Sequence, residues 1–429
     1  MKMKYKWLIL LFLTVCTNAV NASRDVEGRK IGLEEVCVLI KQNRSVILET
    51  YNKRMAQENL KQKKTDCLPE FLLSGDAYLS NKIPLSSVSA NNNLLYHFTL
   101  FSEIDVYTGG AHAYAIEKAR KEQQLSEESS KAIEEEVKLE AYVLLYDIHR
   151  NIKYLDFVRS SIHLREKEYE RINLLYFNGI VLKSDLLRSK LYITDLEKDE
   201  INIKNSIDIL SDRLCSLLGI KERFTVEPVL TEDMNHTLTD SFDDLYHYAL
   251  LHSPYLQICH IQKEREEIVL KEIKSACRPK LKLYAQYGVG TGQPAFDYSH
   301  QLGGEIGTKI SFPLSSFYKI KHKEAIQKYC IEQHQVLLDN KEEKLRNSLQ
   351  ELYTRYHESL ININRAIEKI SMSKESYRIL RNSYFNQQTL LIDVLESETK
   401  SMEAAFEWVE AVVDSQKYYW AIKQISGQL

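Results

Sequence analysis

Apolar residues recur at seven-residue spacing along two long stretches of the chain. The first column is Ala141, Ile148, Leu155, Ile162, Tyr169 and Tyr176, and the second is Leu349, Tyr356, Ile363, Ile370, Tyr377 and Tyr384. Seven-residue spacing places an apolar seam along one side of a helix, which is typical of helices that pack side by side over their length. The pattern therefore predicts long helices in coiled-coil contact.

Two shorter windows alternate between apolar and polar residues at every second position. In the later window the apolar positions are Leu281, Leu283, Ala285, Tyr287 and Val289, and then Leu302, Ile306 and Ile310. In the earlier window they are Phe71, Leu73 and Ala77, and then Tyr96, Phe98, Leu100 and Ile104. We predict β-hairpins at 69–108 and 279–313. Strands of about 10 residues with one apolar face fit a membrane-spanning β-barrel.

The distribution of helix breakers agrees with this division. The 429 residues include only 14 Gly and 7 Pro, and fourteen of these lie in 69–110 and 279–313. The runs 111–178, 180–218 and 314–426 contain neither residue. Since Gly and Pro interrupt helices, their absence favours very long ones. The chain is therefore predicted to be mainly α, with four β-strands.

An internal repeat relates the two halves of the chain. At an offset of 208 residues, the segment 176–178 (Tyr-Phe-Asn) matches 384–386, Asp185 matches Asp393, and Gly219 matches Gly427. Each copy contains a helix, a hairpin, a long helix, a turn and a returning helix, so the long helices are expected to be antiparallel. One structural unit is therefore used twice.

The repeat and the N-terminal segment together predict four regions of the chain. These are a signal peptide at 1–22, a first repeat at 23–219 with its tip turn at 176–180, a linker at 220–240, and a second repeat at 241–429 with its tip turn at 384–389. The signal is indicated by three early Lys, an apolar run from Trp7 to Val15, and a small-residue cleavage site at Ala22. Cys16 is an alternative lipidation site, although Val15 is larger than the residue that such signals favour.

Charge and motif content exclude several classes of function. Cleavage after Ala22 removes three Lys and no acid, so the formal charge moves from -3 to -6, which gives no support for nucleic-acid binding. The remaining six Cys form no C-x-x-C pair. The glycines between Gly288 and Gly292 are followed by Pro294 rather than a helix, so they fit a hairpin better than a phosphate loop. We expect no enzyme activity, cofactor or metal.

The order of these features resembles the TolC-like outer-membrane efflux proteins. The resemblance rests on two Pro-led strand pairs, two long helices, a Tyr-x-x-Gly turn followed by Asp and Leu, and a returning helix that closes on Leu217-Leu218-Gly219. It covers residues 31 to 427. The second copy departs from the family pattern, with Gln387 at the turn glycine and Ile425-Ser426-Gly427 at the end.

The resemblance implies an outer-membrane channel subunit with a large periplasmic portion. Three chains would form a homotrimer whose twelve strands close a β-barrel in the outer-membrane lipid and whose helices form a trimeric α-barrel. It implies a passive, porin-like duct in a tripartite efflux or type I secretion system. The partners would be a periplasmic adaptor (membrane fusion) protein and an inner-membrane pump of the RND or ABC type. The alternative is a periplasmic coiled-coil scaffold without channel activity.

The resemblance also indicates which residues form the pore constriction. Asp393 and Glu396 match acids that ring the pore, and Asp185 matches a residue that ties the closed tip. Carboxylates at i and i+3 share one helix face, so three copies would bring six together. Capping of the helix starts is the alternative role for Asp185 and Asp393. The residues of the tip turns are Tyr176, Phe177, Asn178, Gly179, Tyr384, Phe385, Asn386 and Gln387.

The turns lack the basic residue that the family often carries five positions after the Tyr. Here that position is Thr389 in the second copy and Val181 in the first. A salt bridge that closes the tip is therefore not expected at this position. The two turn tyrosines are open to two roles, either seam packing or hydrogen bonds that hold the aperture shut.

Overall fold

The computed structural model describes residues 29–80, 93–230, 237–291 and 300–429. The predicted signal peptide, Cys16 and the start of the first repeat at 23–28 lie outside these residues, as do residues 81–92 and 292–299 of the predicted hairpins and 231–236 of the predicted linker. Within the described residues the chain forms two units. Unit 1 contains the residues up to Val46, Glu134–Phe242 and Leu349–Leu429, and unit 2 contains Ile47–Ile133 and Asp243–Ser348.

Helices account for most of the described chain, as the breaker-free runs predict. In chain order they are α1 (Leu33–Leu39), a short 3₁₀ helix (Ile40–Gln42), α2 (Arg44–Thr65), α3 (Ala111–Phe177), α4 (Lys183–Leu217), α5 (Phe242–His252), α6 (Pro254–Ser275), α7 (Ser316–Phe385) and α8 (Leu391–Ile425). The mainly α class with additional β-structure is confirmed. Among the described residues, none of the helices combines the length and apolar character that crossing a lipid bilayer requires.

The helix boundaries repeat with the same offset as the sequence. Helices α3 and α7 contain 67 and 70 residues, and α4 and α8 contain 35 residues each. The starts of α4 and α8, at Lys183 and Leu391, lie 208 residues apart, and so do their ends. Beyond these ends, Gly219 and Gly427 have φ values of 72° and 73°. The two-fold internal repeat is therefore confirmed at the level of helix length and helix ending.

The strands of the two hairpins form a single four-stranded antiparallel sheet in unit 2. The strands are β2 (Glu70–Ser80), β3 (Asn93–Tyr107), β5 (Lys280–Thr291) and β6 (His300–Ser311), in the order β2-β3-β5-β6. Leu73 pairs with Leu100, which pairs with Tyr287. Because paired residues share a face, this register places the apolar positions of both windows on the same side.

A second, two-stranded sheet was not predicted from the sequence. Strand β1 (Arg29–Gly32) pairs in parallel with β4 (Val226–Val229), which lies inside the predicted linker. Ile31 and Val226 are fully buried there. Four residues are too few for an alternating pattern to be distinguished from chance, so this pairing leaves no clear signal in the sequence.

The seven-residue columns form the core of the long helices. In unit 1, Ala141, Ile148, Leu349 and Tyr356 are at most 1% exposed. The later positions, Ile162, Tyr169, Ile363, Ile370 and Tyr377, are half-buried. All twelve column residues are buried or half-buried, so the seam predicted from the spacing is the face that packs.

Candidate functional site

The two turns of unit 1 reverse the chain with the same backbone geometry. The first turn joins α3 to α4, and the second joins α7 to α8. Gly179 has a φ of 72° and Gln387 has a φ of 58°. In the first turn Gly179 N–H donates to Tyr176 C=O at 2.9 Å and Ile180 N–H to Leu175 C=O at 2.9 Å.

The second turn repeats this pair of hydrogen bonds. Gln387 N–H donates to Tyr384 C=O and Gln388 N–H to Ser383 C=O, both at 2.9 Å. Bonds with these two spacings after a left-handed residue define a Schellman motif, which satisfies the free carbonyls at the end of a helix. The motif needs a left-handed backbone but not a glycine, so Gln387 can serve where the family pattern has Gly.

Asp393 caps the start of α8 through its side chain. Thr389 Oγ1 donates to Asp393 Oδ2 at 2.9 Å, and the Leu390 N–H approaches the same oxygen at 3.4 Å. In the first turn Val181 replaces Thr389, so Asp185 has no equivalent hydroxyl donor. The structure thus gives Asp393 a capping contact, which is compatible with a second role because its side chain remains exposed.

Glu396 lies one turn further along the same exposed face of α8. Its carboxylate is 3.2 Å from Lys400 Nζ, and both side chains are 64% exposed. An exposed pair of this kind contributes about 0–1 kcal/mol, so it holds the carboxylate only weakly. At three- and four-residue steps the same face continues through Lys400, Glu403, Glu407, Glu410 and Asp414. This face of α8 is therefore predominantly acidic.

The apolar side chains behind the turns form a compact cluster, here named the turn core. It consists of Ile172, Tyr384, Leu391, Val394 and Leu395. Tyr384 is 7% exposed, and its hydroxyl has no hydrogen-bond partner in the part of the chain that the structure describes. Burial, together with the nearby Asp185 carboxylate, raises the pKa of Tyr384 to about 12. Of the two roles left open for Tyr384, the structure gives it packing. Tyr176 is half-buried and Phe177 is 76% exposed.

A basic residue does reach the second turn, but it comes from another helix. The Arg171 guanidinium carbon of α3 lies 3.7 Å from the ring centroid of Phe385 at the end of α7. Such cation–π contacts at partly exposed sites contribute about 0.5–1 kcal/mol. The repeat could not reveal this residue, because its counterpart in the second copy is Ile379.

A buried charge cluster lies about three turns of helix before the first turn. Arg165 of α3 is 1% exposed, and its Nη1 is 2.7 Å from Glu168 Oε2 on the same helix. Its Nη2 is ion-paired with Glu398 Oε2 of α8, whose side chain is 5% exposed. A guanidinium at this depth requires charged partners, because an unpaired buried charge is strongly unfavourable.

Two further helices complete this Arg165 cluster. Arg381 of α7 forms an ion pair with Glu168 Oε1, and Tyr377 Oη donates to the same oxygen at 3.2 Å. The Arg165 guanidinium carbon lies 5.3 Å from the ring centroid of Tyr192 in α4 and 5.6 Å from that of Tyr377. Two guanidinium groups thus balance two carboxylates among four helices. Sequence reasoning missed the cluster, because an Arg-x-x-Glu pair on a helix usually faces solvent.

The second candidate surface is the apolar face of the four-stranded sheet. It includes Phe71, Leu73, Tyr287, Ile306 and Ile310, which are between 55% and 81% exposed. A shallow cleft crosses this face between Leu100 and Ala285. An exposed apolar surface that extends across a sheet is typical of a site that contacts lipid or another apolar surface.

The opposite face of the sheet carries polar and charged side chains. Lys282 Nζ is ion-paired with Glu103 and lies 3.3 Å from Asp105 Oδ1, and Asp105 Oδ2 is 3.2 Å from His112 Nε2. The predicted separation of the hairpin residues into an apolar and a polar side therefore appears in the folded sheet. Within the described part of the chain, no group of three or more His, Cys, Asp or Glu side chains is placed to hold a metal ion, and the six cysteines are free thiols.

Comparison with solved structures places this fold among outer-membrane channels. The outer membrane protein VceC of Vibrio cholerae superimposes with a TM-score of 0.78 at 17% identity, covering 92% of this chain and 96% of that chain. The CmeC outer membrane channel of Campylobacter jejuni has a TM-score of 0.80 at 14% identity, covering 92% and 85%. The open-state MtrE channel of Neisseria gonorrhoeae has a TM-score of 0.74 at 12% identity, covering 92% and 89%.

These comparisons establish the fold of the chain. The fold expected from the resemblance to TolC-like outer-membrane proteins is confirmed, because the similarity extends over nearly all of both chains. No protein-family model matches the sequence, and no curated protein matches it. At 12–17% identity, the likeness lies in the arrangement of helices and strands rather than in individual side chains.

Proposed function

We propose that this protein is an outer-membrane channel subunit that provides a passive duct across the outer membrane and periplasm. The observation that carries the proposal is the sheet whose apolar face is exposed over four strands while its other face is polar. A water-filled barrel in lipid needs apolar side chains outside and polar side chains inside. The outer-membrane channels that share the fold support this assignment.

The channel is proposed to be a homotrimer. Among the described residues, strands β2 and β6 each have one neighbour in the sheet, so both edges carry unpaired backbone groups. Open edges are not tolerated in a bilayer, and four strands are too few to enclose a channel. Pairing of β6 with β2 of the next copy would close a barrel of twelve strands from three chains. The repeated helices would then surround a common axis as an α-barrel.

In this assembly the turns form the periplasmic tip, and α8 contributes the constriction. Asp393 and Glu396 lie on one exposed face, so three copies would place six carboxylates around the axis. Such a ring attracts cations and repels anions. Asp185 is assigned to the same tip, where its carboxylate lies near Tyr384. The region boundaries predicted from the sequence, including the signal peptide at 1–22, belong to this proposal.

The partners in this proposal are a periplasmic adaptor protein and an inner-membrane pump. A passive duct has no means of driving transport, so energy must come from another component. Efflux and type I secretion both fit a duct of this kind, and so do pumps of the RND and ABC types. A periplasmic scaffold would need the same helices, but it would have no use for an exposed apolar sheet face.

The test of the duct uses Asp393→Asn with Glu396→Gln in planar bilayers. Asn can still accept the hydrogen bond from Thr389, so the cap is retained while both charges are lost. We expect weaker cation selectivity and weaker block by multivalent cations. Glu375→Gln, which removes an exposed acid of α7 outside this face, is the control and should leave both properties unchanged.

Two results would contradict the proposal. A purified protein that forms no channels would exclude the duct. Unchanged selectivity in the double variant, combined with a loss of stability in Asp393→Ala, would assign Asp393 to capping alone.

A further inference from the structure

The Arg165 cluster joins three helices through side chains that cannot separate without leaving charge buried. Arg165 and Glu398 connect α3 to α8, while Glu168 and Arg381 connect α3 to α7. Sliding α8 along α3 would take Glu398 away from Arg165. Because Arg165 is 1% exposed, water could not replace the lost carboxylate.

The contacts that lie between this cluster and the turns are apolar or solvent-exposed rather than charged and buried. The turn core is apolar, and the polar contacts beyond it are exposed, as in the Glu396–Lys400 pair. Apolar packing is non-directional, so these side chains can rotate and shift against each other without creating an unpaired charge. The Tyr384 hydroxyl adds no hydrogen bond to any described residue there.

We propose that the Arg165 cluster is a permanent joint, which remains closed while the aperture at the turns changes. The moving part is then confined to the last turns of α3 and α7 and the first turns of α4 and α8. Arg165 acts as a positioning residue, because its ion pair with Glu398 fixes the position of α8 along α3. Asp393 and Glu396 lie at the start of α8 and are positioned with it. The inference rests on the proposed duct function and adds which part of the duct does not move.

Two serines allow α7 and α8 to be linked covalently at the level of the cluster. Ser376 Oγ of α7 and Ser397 Oγ of α8 are 3.3 Å apart, each directly before a residue of the cluster. The pair Ser376→Cys and Ser397→Cys, in a chain whose native cysteines are replaced by alanine, places two thiols within reach of a disulfide. The bond is formed with copper phenanthroline and broken with dithiothreitol.

For a permanent joint, the oxidised and reduced proteins have the same single-channel conductance and the same frequency of conductance changes. Arg165→Met should shift the conductance to higher and fluctuating levels, because Glu398 has lost its partner. The disulfide should then return the conductance of Arg165→Met to that of the parent, because it ties α8 to α7, which Arg381 and Glu168 still hold to α3. Such a rescue would show that Arg165→Met misplaces α8 rather than unfolding the protein.

Lys417→Met is the matched control, because Lys417 and Asp147 form another α3–α8 ion pair. Their atoms are 2.6 Å apart, and both side chains are 17% exposed. This variant should melt at a lower temperature but keep the parent conductance. Glu398→Gln, which preserves the shape of the side chain, replaces Arg165→Met if that variant does not fold.

A disulfide that suppresses the conductance changes of the otherwise intact protein would show that the joint opens, and would overturn the proposal. Parent conductance in both Arg165→Met and Glu398→Gln would overturn it equally. If the unmodified protein forms no channels, the duct function fails instead. The joint is then tested by thermal melting alone. If the disulfide does not restore the melting temperature of Arg165→Met, the joint is rejected.

Discussion

Gln387 adopts the left-handed backbone conformation at the second turn, where the first turn has Gly179. A side chain in this conformation costs about 1–2 kcal/mol because Cβ approaches the following carbonyl. Both turns nevertheless form the same two hydrogen bonds. The surrounding helices therefore impose the turn, and the residue at its centre tolerates the strain.

This comparison predicts opposite effects of two substitutions. Gln387→Gly should raise the free energy of unfolding by about 0.5–1 kcal/mol, since relief of strain exceeds the added entropy of the unfolded chain. Gly179→Ala should lower it by about 1 kcal/mol through strain alone, because a Cβ at Gly179 meets nothing within 4 Å. Thermal denaturation followed by circular dichroism measures both. Destabilisation by Gln387→Gly would mean that the Gln side chain makes a favourable contact.

At the scale of elements, the alternation of side chains along each strand is enough to separate the apolar face of the sheet from the polar face. Ile306 and Glu305 are neighbours in β6, but they lie on opposite faces, and Ile306 is 81% exposed. The pairing register places Leu73, Leu100 and Tyr287 side by side across three strands. The face of the sheet on which a side chain lies is thus set by whether its position in the strand is odd or even.

A pair of lysine substitutions tests this separation. Ile306→Lys places a charge on the proposed lipid face, where a Lys near the bilayer midplane costs about 2–4 kcal/mol, so insertion into liposomes should fall sharply. Glu305→Lys introduces the same residue one position away on the polar face and should insert normally. Assembly is read from the oligomer band on unheated gels. Equal insertion of both variants would rule out lipid contact for the apolar face.

The helices and strands were largely predictable, because their signals are local and periodic. The seven-residue columns anticipated the buried seam, and the alternating windows anticipated β2, β3, β5 and β6. The β1–β4 pairing was not predictable, since it joins four-residue segments almost 200 positions apart. Arg171 was missed for a related reason: its contact with Phe385 depends on how two helices meet, which periodicity does not encode.

At the scale of the whole molecule, the repeat places the strands of two hairpins in one sheet of unit 2 and both helix turns in unit 1. The fold is shared with channels that are only 12–17% identical to this chain. Since few side chains are common, the shared property is the order and length of elements. In the proposed assembly, other copies of the chain close the sheet, because both of its edges are unpaired within the described residues of one copy.

Deletion of residues 281–311 tests this dependence on assembly. The deletion removes nearly all of β5 and β6 and should abolish membrane insertion, while helicity by circular dichroism stays largely intact. Light scattering in detergent should give the mass of three chains for the full protein. Membrane insertion of the deleted chain would contradict the role assigned to the hairpin.

The sequence by itself determined the repeat, the long helices, the two faces of the sheet and the positions of the turns. These depend on spacing along the chain, and spacing is visible in one dimension. Only the tertiary structure decided that Gln387 would be left-handed, that Asp393 would meet Thr389, and that Arg165 would be buried among carboxylates from two helices. Burial of a charge depends on which side chains converge in space, and that convergence is settled when the helices pack.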